Sequence, residues 1–424
     1  MMEQEASFIW SDSWWIENDV AWFVGGRTNA LYRLDRKTKQ CEFVAMPPEL
    51  ASDGFRLNPR CIKCGDDIFM MPDISSSIWV YHIAESRYEQ IRIANPDKAR
   101  TGINNFWQCG EKIFAVSTGL KQVIEIDIRE RRITDCWNLC DRKDIKTAMS
   151  VKVGTAIYTV SAVSGEIYKF DIQTKESISY ELSGIEDGLH TICFDGEKFW
   201  LSGYRKEIYV WDEDKNRTVC IEGFPEDFGL YNFDGTGESL LDCESSLYEK
   251  PLFTSSVASK QDVWFIPFQT NKIVYVNRET YELFVFDIEE ENETMRSLSL
   301  HYLADKYLME YVVDDCCIGL YSLKNYCIIE IDTIEKKVEK KEYSFSNSCL
   351  KSTAQVFDRF KNFVLFEGRE IENRIFAEKL LAVDANLRIT ESESVGWKIF
   401  KEMTLTCKHS STKNAVSGKS GFGF

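Results

Sequence analysis

Apolar and polar positions alternate in short runs along most of the chain, and the runs come in pairs. Val20–Val24 is followed by a turn and then by Leu31–Asp35, an apolar run that ends on an acid. Apolar runs carrying an aromatic return at Phe23, Phe69, Phe114, Tyr158 and Trp200, at steps of 46, 45, 44 and 42 residues. The register continues at Trp264, Gly319 and Val364, by 64, 55 and 45 residues. The paired run ends at Asp35, His82, Asp127, Asp171, Asp212, Asn277, Asp332 and, after an insertion, Asp384.

The third copy shows the plan of one repeat. Phe106–Cys109, Lys112–Val116, Val123–Asp127 and Arg132–Trp137 are apolar runs at period two, cut by Gly110-Glu111, Ser117-Thr118-Gly119 and Arg129-Glu130-Arg131. Alternation rich in β-branched and aromatic residues, broken by Gly, Ser and Asp turns, predicts an antiparallel four-stranded meander. Links such as Asp35-Arg36-Lys37-Thr38, Asp171-Ile172-Gln173-Thr174 and Asp332-Thr333-Ile334-Glu335 open on a carboxylate that can accept backbone N–H bonds two residues on. These aspartates are therefore read as turn formers rather than catalysts. No run between copies shows a helical 3.6-residue period.

One such sheet cannot bury both faces, so the copies must stack on one another. Radial stacking of short four-stranded sheets gives a β-propeller. The expectation is an all-β propeller over residues 1–400, of eight blades with seven as the alternative, and a tail over 401–424 that is disordered from about 409. Phe8-Ile9-Trp10 is the expected closing strand. The insertion around 223–255, with Phe228, Leu230, Tyr231 and Phe233, is too aromatic for a polar linker and is expected to cover a face of the ring.

The first copy also carries a family resemblance. Ala21-Trp22-Phe23-Val24-Gly25-Gly26, then Leu31-Tyr32-Arg33-Leu34-Asp35, then Cys41 to Val44 and Met46-Pro47, resembles a kelch repeat. The diglycine does not return: later copies have Met71-Pro72, Ser117-Thr118, Ser161-Ala162, Ser202-Gly203 and Pro267-Phe268. The resemblance implies a propeller and singles out no enzyme of that fold. Trp211-Asp212 is a lone WD dipeptide and does not make the chain a WD40 protein.

Composition narrows the chemistry. The 424 residues include 51 Lys+Arg against 68 Asp+Glu, a net charge of −17 that repels nucleic acid and anionic membranes. No run reaches the length of a membrane span, and the acidic start Met1-Met2-Glu3-Gln4-Glu5 does not read as a secretory leader. Fourteen cysteines without a leader point to reduced thiols in a cytoplasm. Cys61 and Cys64 have the spacing of a metal knuckle, but no second pair follows and only four histidines occur, so no metal and no cofactor is expected. Glu289-Glu290-Glu291-Asn292-Glu293 fits no calcium loop, and Gly418-Lys419-Ser420 lacks the rest of a phosphate loop.

Loops that join second to third strands, and one blade to the next, open on the same face of a propeller. Ligand-binding residues sit on such loops when a rigid scaffold holds them. Arg60, Asn104, Asn105, His190, Tyr204 and Arg205 are the binding candidates there, with Arg27 beside them. The expected function is a monomeric binding scaffold that presents this face to a protein, peptide or glycan. The alternative is a lyase or hydrolase acting on a glycan or small molecule at the axial mouth, with His190, Arg60 and Asn105 in one pocket.

Overall fold

In a computed structural model of the chain, the described residues are 11–26, 28–48, 57–94, 101–140, 142, 145–228, 251–268, 270, 272–288, 307–314, 316–322, 327–359, 363–366 and 369–372. They form a propeller of seven four-stranded antiparallel blades. The strands of each blade are called a to d in chain order; in blade 3 they are Ile103–Cys109, Lys112–Ser117, Gln122–Asp127 and Arg132–Asn138. Strand a is Trp14–Glu17, Arg60–Cys64, Ile103–Cys109, Thr147–Val153, Leu189–Phe194, Phe253–Ala258 and Tyr307–Asp314 in blades 1 to 7. The first strands of blades 1 and 2 touch, as do those of blades 3 and 4, 4 and 5, and 5 and 6, and that of blade 1 touches that of blade 7.

The period-two pattern determines the packing. In strand b of blade 3, Ile113 and Ala115 face blade 2, where they meet Phe69, Met71 and Val80. Phe114 and Val116 face blade 4, against Ile157, Tyr168 and Phe170. Both faces of a blade are thus apolar and covered by its neighbours, and one such core fills each joint from blade 1 to blade 7. Cys61 and Cys64, three residues apart on one strand, fall into the cores on opposite sides of blade 2 and cannot grip one ion together.

The turn acids behave as their position predicts. Asp35 Oδ1 accepts the N–H groups of Lys37 and Thr38, both at 2.9 Å. Asp171 and Asp332 repeat the arrangement, and these bonds hold all three carboxyls below the usual range. Beyond the acid, each c–d turn has a fifth residue in the left-handed region: Lys39, Ser86, Arg131, Lys175, Asn216, Tyr281 and Lys336, with φ from 43° to 64°. A side chain is disfavoured there by clash with the following carbonyl. Replacing the exposed Ser86 with Gly is therefore expected to stabilise the fold by about 0.5–1 kcal/mol, measured as a higher urea midpoint.

The ring has seven blades, not eight, because the chain turns back after blade 7. Ser344–Phe345 joins the outer edge of blade 1, parallel to Gln40 and Cys41. The helix Asn347–Arg359 then packs on strand d of blade 1, Gln40–Ala45. Arg36 of blade 1 pairs with Glu330 of blade 7 at 2.9 Å, and Trp14 meets Tyr343 edge-on at 6.2 Å. Blade 7 is thus already against blade 1, leaving no opening for another sheet. Val364, counted as an eighth copy, lies instead in the two-stranded hairpin Phe363–Phe366 and Arg369–Glu372. Asp384, the 401–424 tail and Phe8-Ile9-Trp10 lie outside the described residues.

The helix corrects a second expectation. Its buried residues Cys349, Leu350, Thr353 and Val356 follow helical spacing, and Ser346 caps it by accepting the Cys349 N–H at 3.1 Å.

Candidate functional site

The two faces of the ring are built differently. On the face of the a–b and c–d turns, every joint is bridged by a charged contact. Lys175 of blade 4 reaches Glu125 of blade 3 at 2.8 Å and lies over the rings of Phe114 and Trp137 at 4.5 and 4.4 Å. Lys336 of blade 7 pairs with Asp262 of blade 6 over Trp264 and Tyr275, 4.5 and 4.2 Å from the rings. Arg131 reaches Asp67, Arg278 reaches Asp195, Arg36 reaches Glu330 and Lys63 reaches Glu17. Between blades 4 and 5 the sign is reversed: Glu213 of blade 5 accepts from Lys169, Tyr158 and Tyr180 of blade 4.

A polar groove of about 510 Å³ opens on this face between blades 5 and 6, beside Asp195, Lys198, Gln261 and Arg278. Arg278 donates there to the Asp195 carboxylate and backbone carbonyl and to the carbonyls of Ser259 and Lys260. Asp195 also accepts the Trp200 indole N–H at 2.7 Å. These groups are committed to holding the joint. His82 supports a joint from within blade 2: its Nδ1 lies 2.6 Å from Oδ1 of Asp67, the acid that Arg131 of blade 3 reaches.

The opposite face carries the b–c and blade-to-blade links, and the expected binding residues fall on it or at the adjoining ends of the strands. Arg60, where strand a of blade 2 begins, bridges three blades: its guanidinium lies 3.2 Å from Asp12 before strand a of blade 1 and 3.1 Å from Asn104 Oδ1 in blade 3. Asn105 turns the other way and accepts the Ser150 N–H of blade 4 at 2.9 Å. Arg60 and Asn104 are therefore brought together, while Asn105 tethers the next joint. His190, Tyr204 and Arg205 stand two or three blades further round. Burial lowers the pKa of His190 to about 4, leaving a neutral imidazole at pH 7. Burial pushes the Tyr204 phenol up, and the exposed Arg205 is paired with Asp187. Arg27 lies outside the described residues.

The first strands also carry buried hydroxyls. Thr147, Thr191 and Ser255 have side-chain oxygens with no hydrogen-bond partner among the described residues. Buried hydroxyls are normally satisfied, and these three depart from that rule.

Around this polar mouth stand apolar loop tips that the repeat pattern did not single out. Ile74, between strands b and c of blade 2, is 50% exposed, and Val163, at the matching place in blade 4, is 49% exposed. Of the other large exposed apolar residues among those described, Ile178 and Val338 are on outer strands and Ile334 is in a c–d turn. The signal for the two tips was present in Pro72-Asp73-Ile74-Ser75-Ser76 and Ala162-Val163-Ser164-Gly165, where one aliphatic interrupts a polar turn.

The backbone under Val163 is closely packed. A methyl group on Gly188, in the link from blade 4 to blade 5, would stand 2.0 Å from the Ala162 carbonyl oxygen. One on Gly203 would stand 2.1 Å from the Gly188 carbonyl oxygen, and one on Gly165 would stand 2.7 Å from that of Ile185. The insertion entered at Gly223 is anchored nearby: Phe228 packs between Phe224 and Phe253, at 4.8 and 5.9 Å. Residues 229–250 of the insertion and 289–294 of the acidic run lie outside the described residues.

No helix among the described residues is long and apolar enough to cross a membrane. No protein-family model matches the chain, and no curated protein matches it in sequence. Solved structures resemble it in fold. A chain of a mitotic checkpoint complex is 8% identical over 80% of this chain and 88% of its own, with a TM-score of 0.48. PorZ, described as a surface component of the type-IX secretion system of Porphyromonas gingivalis, is 10% identical over 79% of this chain and 38% of its own, with a TM-score of 0.50. The computationally designed Ika8 protein is 10% identical over 79% of this chain and 96% of its own, with a TM-score of 0.44. At such identities the likeness is one of fold alone.

Proposed function

We propose that this chain is a non-enzymatic binding propeller of divergent kelch type, and that it presents the face of its b–c and blade-to-blade links to a protein or peptide partner. The observation that carries the reading is the exposure of Ile74 and Val163 at matching places in blades 2 and 4, on the face where Arg60 and Asn104 link blades 2 and 3 and Asn105 tethers blade 4. Exposed aliphatics over a closely packed backbone suit an interface whose apolar centre is surrounded by polar groups. The opposite face is taken up by contacts between blades. The Gly25 turn of blade 1 supports the kelch relation, since a Cβ there would stand 2.6 Å from Thr28 Oγ1 and 2.9 Å from the Tyr32 ring.

The test pairs surface variants with in-cell photocrosslinking followed by mass spectrometry. Ile74→Asp with Val163→Asp is expected to abolish the crosslinks that wild-type protein forms through this face, without lowering its thermal midpoint. Ile178→Asp, on the outer strand of blade 4, is expected to retain them. Equal retention by both variants would refute the reading.

A further inference from the structure

The segment that closes the ring brings two cysteines together. Phe345 pairs with Cys41 in the parallel register of Ser344–Phe345 against strand d of blade 1. The helix Asn347–Arg359 follows at once and lies on that strand. Its first turn carries Cys349. Both cysteines are free and buried, at 0% and 2% exposure, and Cys349 is close enough to act on the Cys41 thiol. Tyr32 OH lies 3.1 Å from Thr353 Oγ1, one turn further along the helix, so the helix is held against blade 1 at a second point. The pair spans 308 residues, from blade 1 to the segment after blade 7.

We propose that Cys41 and Cys349 are a redox lock on ring closure: a peroxide joins them in a disulfide that fastens the closing segment to blade 1. In the first step one thiol attacks hydrogen peroxide. The O–O bond breaks, a sulfenic acid forms and one water leaves. The second thiol then attacks the sulfenic sulfur, the S–S bond forms, the S–O bond breaks and a second water leaves. Two thiols are oxidised and one peroxide is reduced, with both thiol protons ending in water. Because thiolate is the reacting form and burial pushes the Cys41 thiol well up, the first step requires the segment to lift. Its return then places the second thiol beside the sulfenic acid.

The experiment uses the full chain, treated with hydrogen peroxide, alkylated and digested without reductant. Mass spectrometry is expected to find the Cys41 and Cys349 peptides linked and to lose that species on treatment with dithiothreitol. Limited proteolysis within 345–360 is expected to slow at least about tenfold on oxidation, since cleavage tracks the population of the opened segment. That protection is expected to vanish in Cys41→Ala and in Cys349→Ala. Recovery of the two wild-type peptides unlinked, whether alkylated or separately oxidised to sulfinic acids, would overturn the proposal even if both variants fold poorly. Protection that persists in either variant would overturn it as well.

Discussion

Gly188→Ala is expected to destabilise the ring by about 3 kcal/mol, near the upper end for overpacking. The added carbon would fall 2.0 Å from the Ala162 carbonyl oxygen, 2.2 Å from its carbon and 2.7 Å from the Val163 nitrogen. All three are backbone atoms, which cannot rotate away as a side-chain tip can. Gly203 closes the alternative route, because its own place depends on the Gly188 carbonyl staying where it is. Gly184→Ala, in the same link, is the matched comparison. It has a φ of +84° and nothing within 4 Å of the added carbon, so only the backbone conformation resists it, at about 1 kcal/mol. Urea denaturation at constant m-value separates the two. Equal losses would mean that the link shifts freely and that Val163 does not stand on a firm base.

The second large effect concerns Glu125, which is 3% exposed in strand c of blade 3. Burial alone would raise its pKa. Hydrogen bonds from Lys112, Lys175 and Thr134 outweigh burial and bring the pKa from the usual 4.5 down to about 2. An unfolded chain binds a proton here as pH falls through 4.5, whereas the folded protein does not until about pH 2. The stabilisation is therefore fully present above pH 4.5 and is lost as pH falls through 2. It amounts to roughly 3 kcal/mol. Glu125→Gln is expected to lose most of this at pH 7 and to converge on wild type near pH 2. Urea midpoints measured from pH 7 to pH 2 check it. Curves that stay parallel across that window would show that Lys175 is held by Phe114 and Trp137 instead.

The fold was legible where one residue type serves one geometry. Alternation placed strands b and c within a residue or two, and the acids that end strand c bond the turn as expected. The blade count was less legible because closure is a relation between the two ends of the ring. Val364 sits in an apolar run, and nothing local distinguishes a blade strand from a hairpin strand. The helix Asn347–Arg359 was readable from Ser346 and from the spacing of Cys349, Leu350, Thr353 and Val356, but the strong period-two pattern around it drew attention away. On the face of the b–c and blade-to-blade links, Arg60 and Asn104 were picked out by their type and place, whereas their coupling to Asp12 is long-range. Ile74 and Val163 escaped because an aliphatic residue reads as core until its surroundings are known.

The closing segment has a consequence for how the protein is made. Each blade is one continuous stretch of chain, so blades can form in order as they leave the ribosome. Blade 1 emerges first, but the segment that covers its outer edge, Ser344–Phe345, is synthesised after all seven blades. Throughout translation the growing arc therefore has two bare ends, an uncovered flank on blade 1 and the newest sheet. Both are sites where a second nascent chain or a chaperone could attach, and both disappear together when Phe345 reaches Cys41.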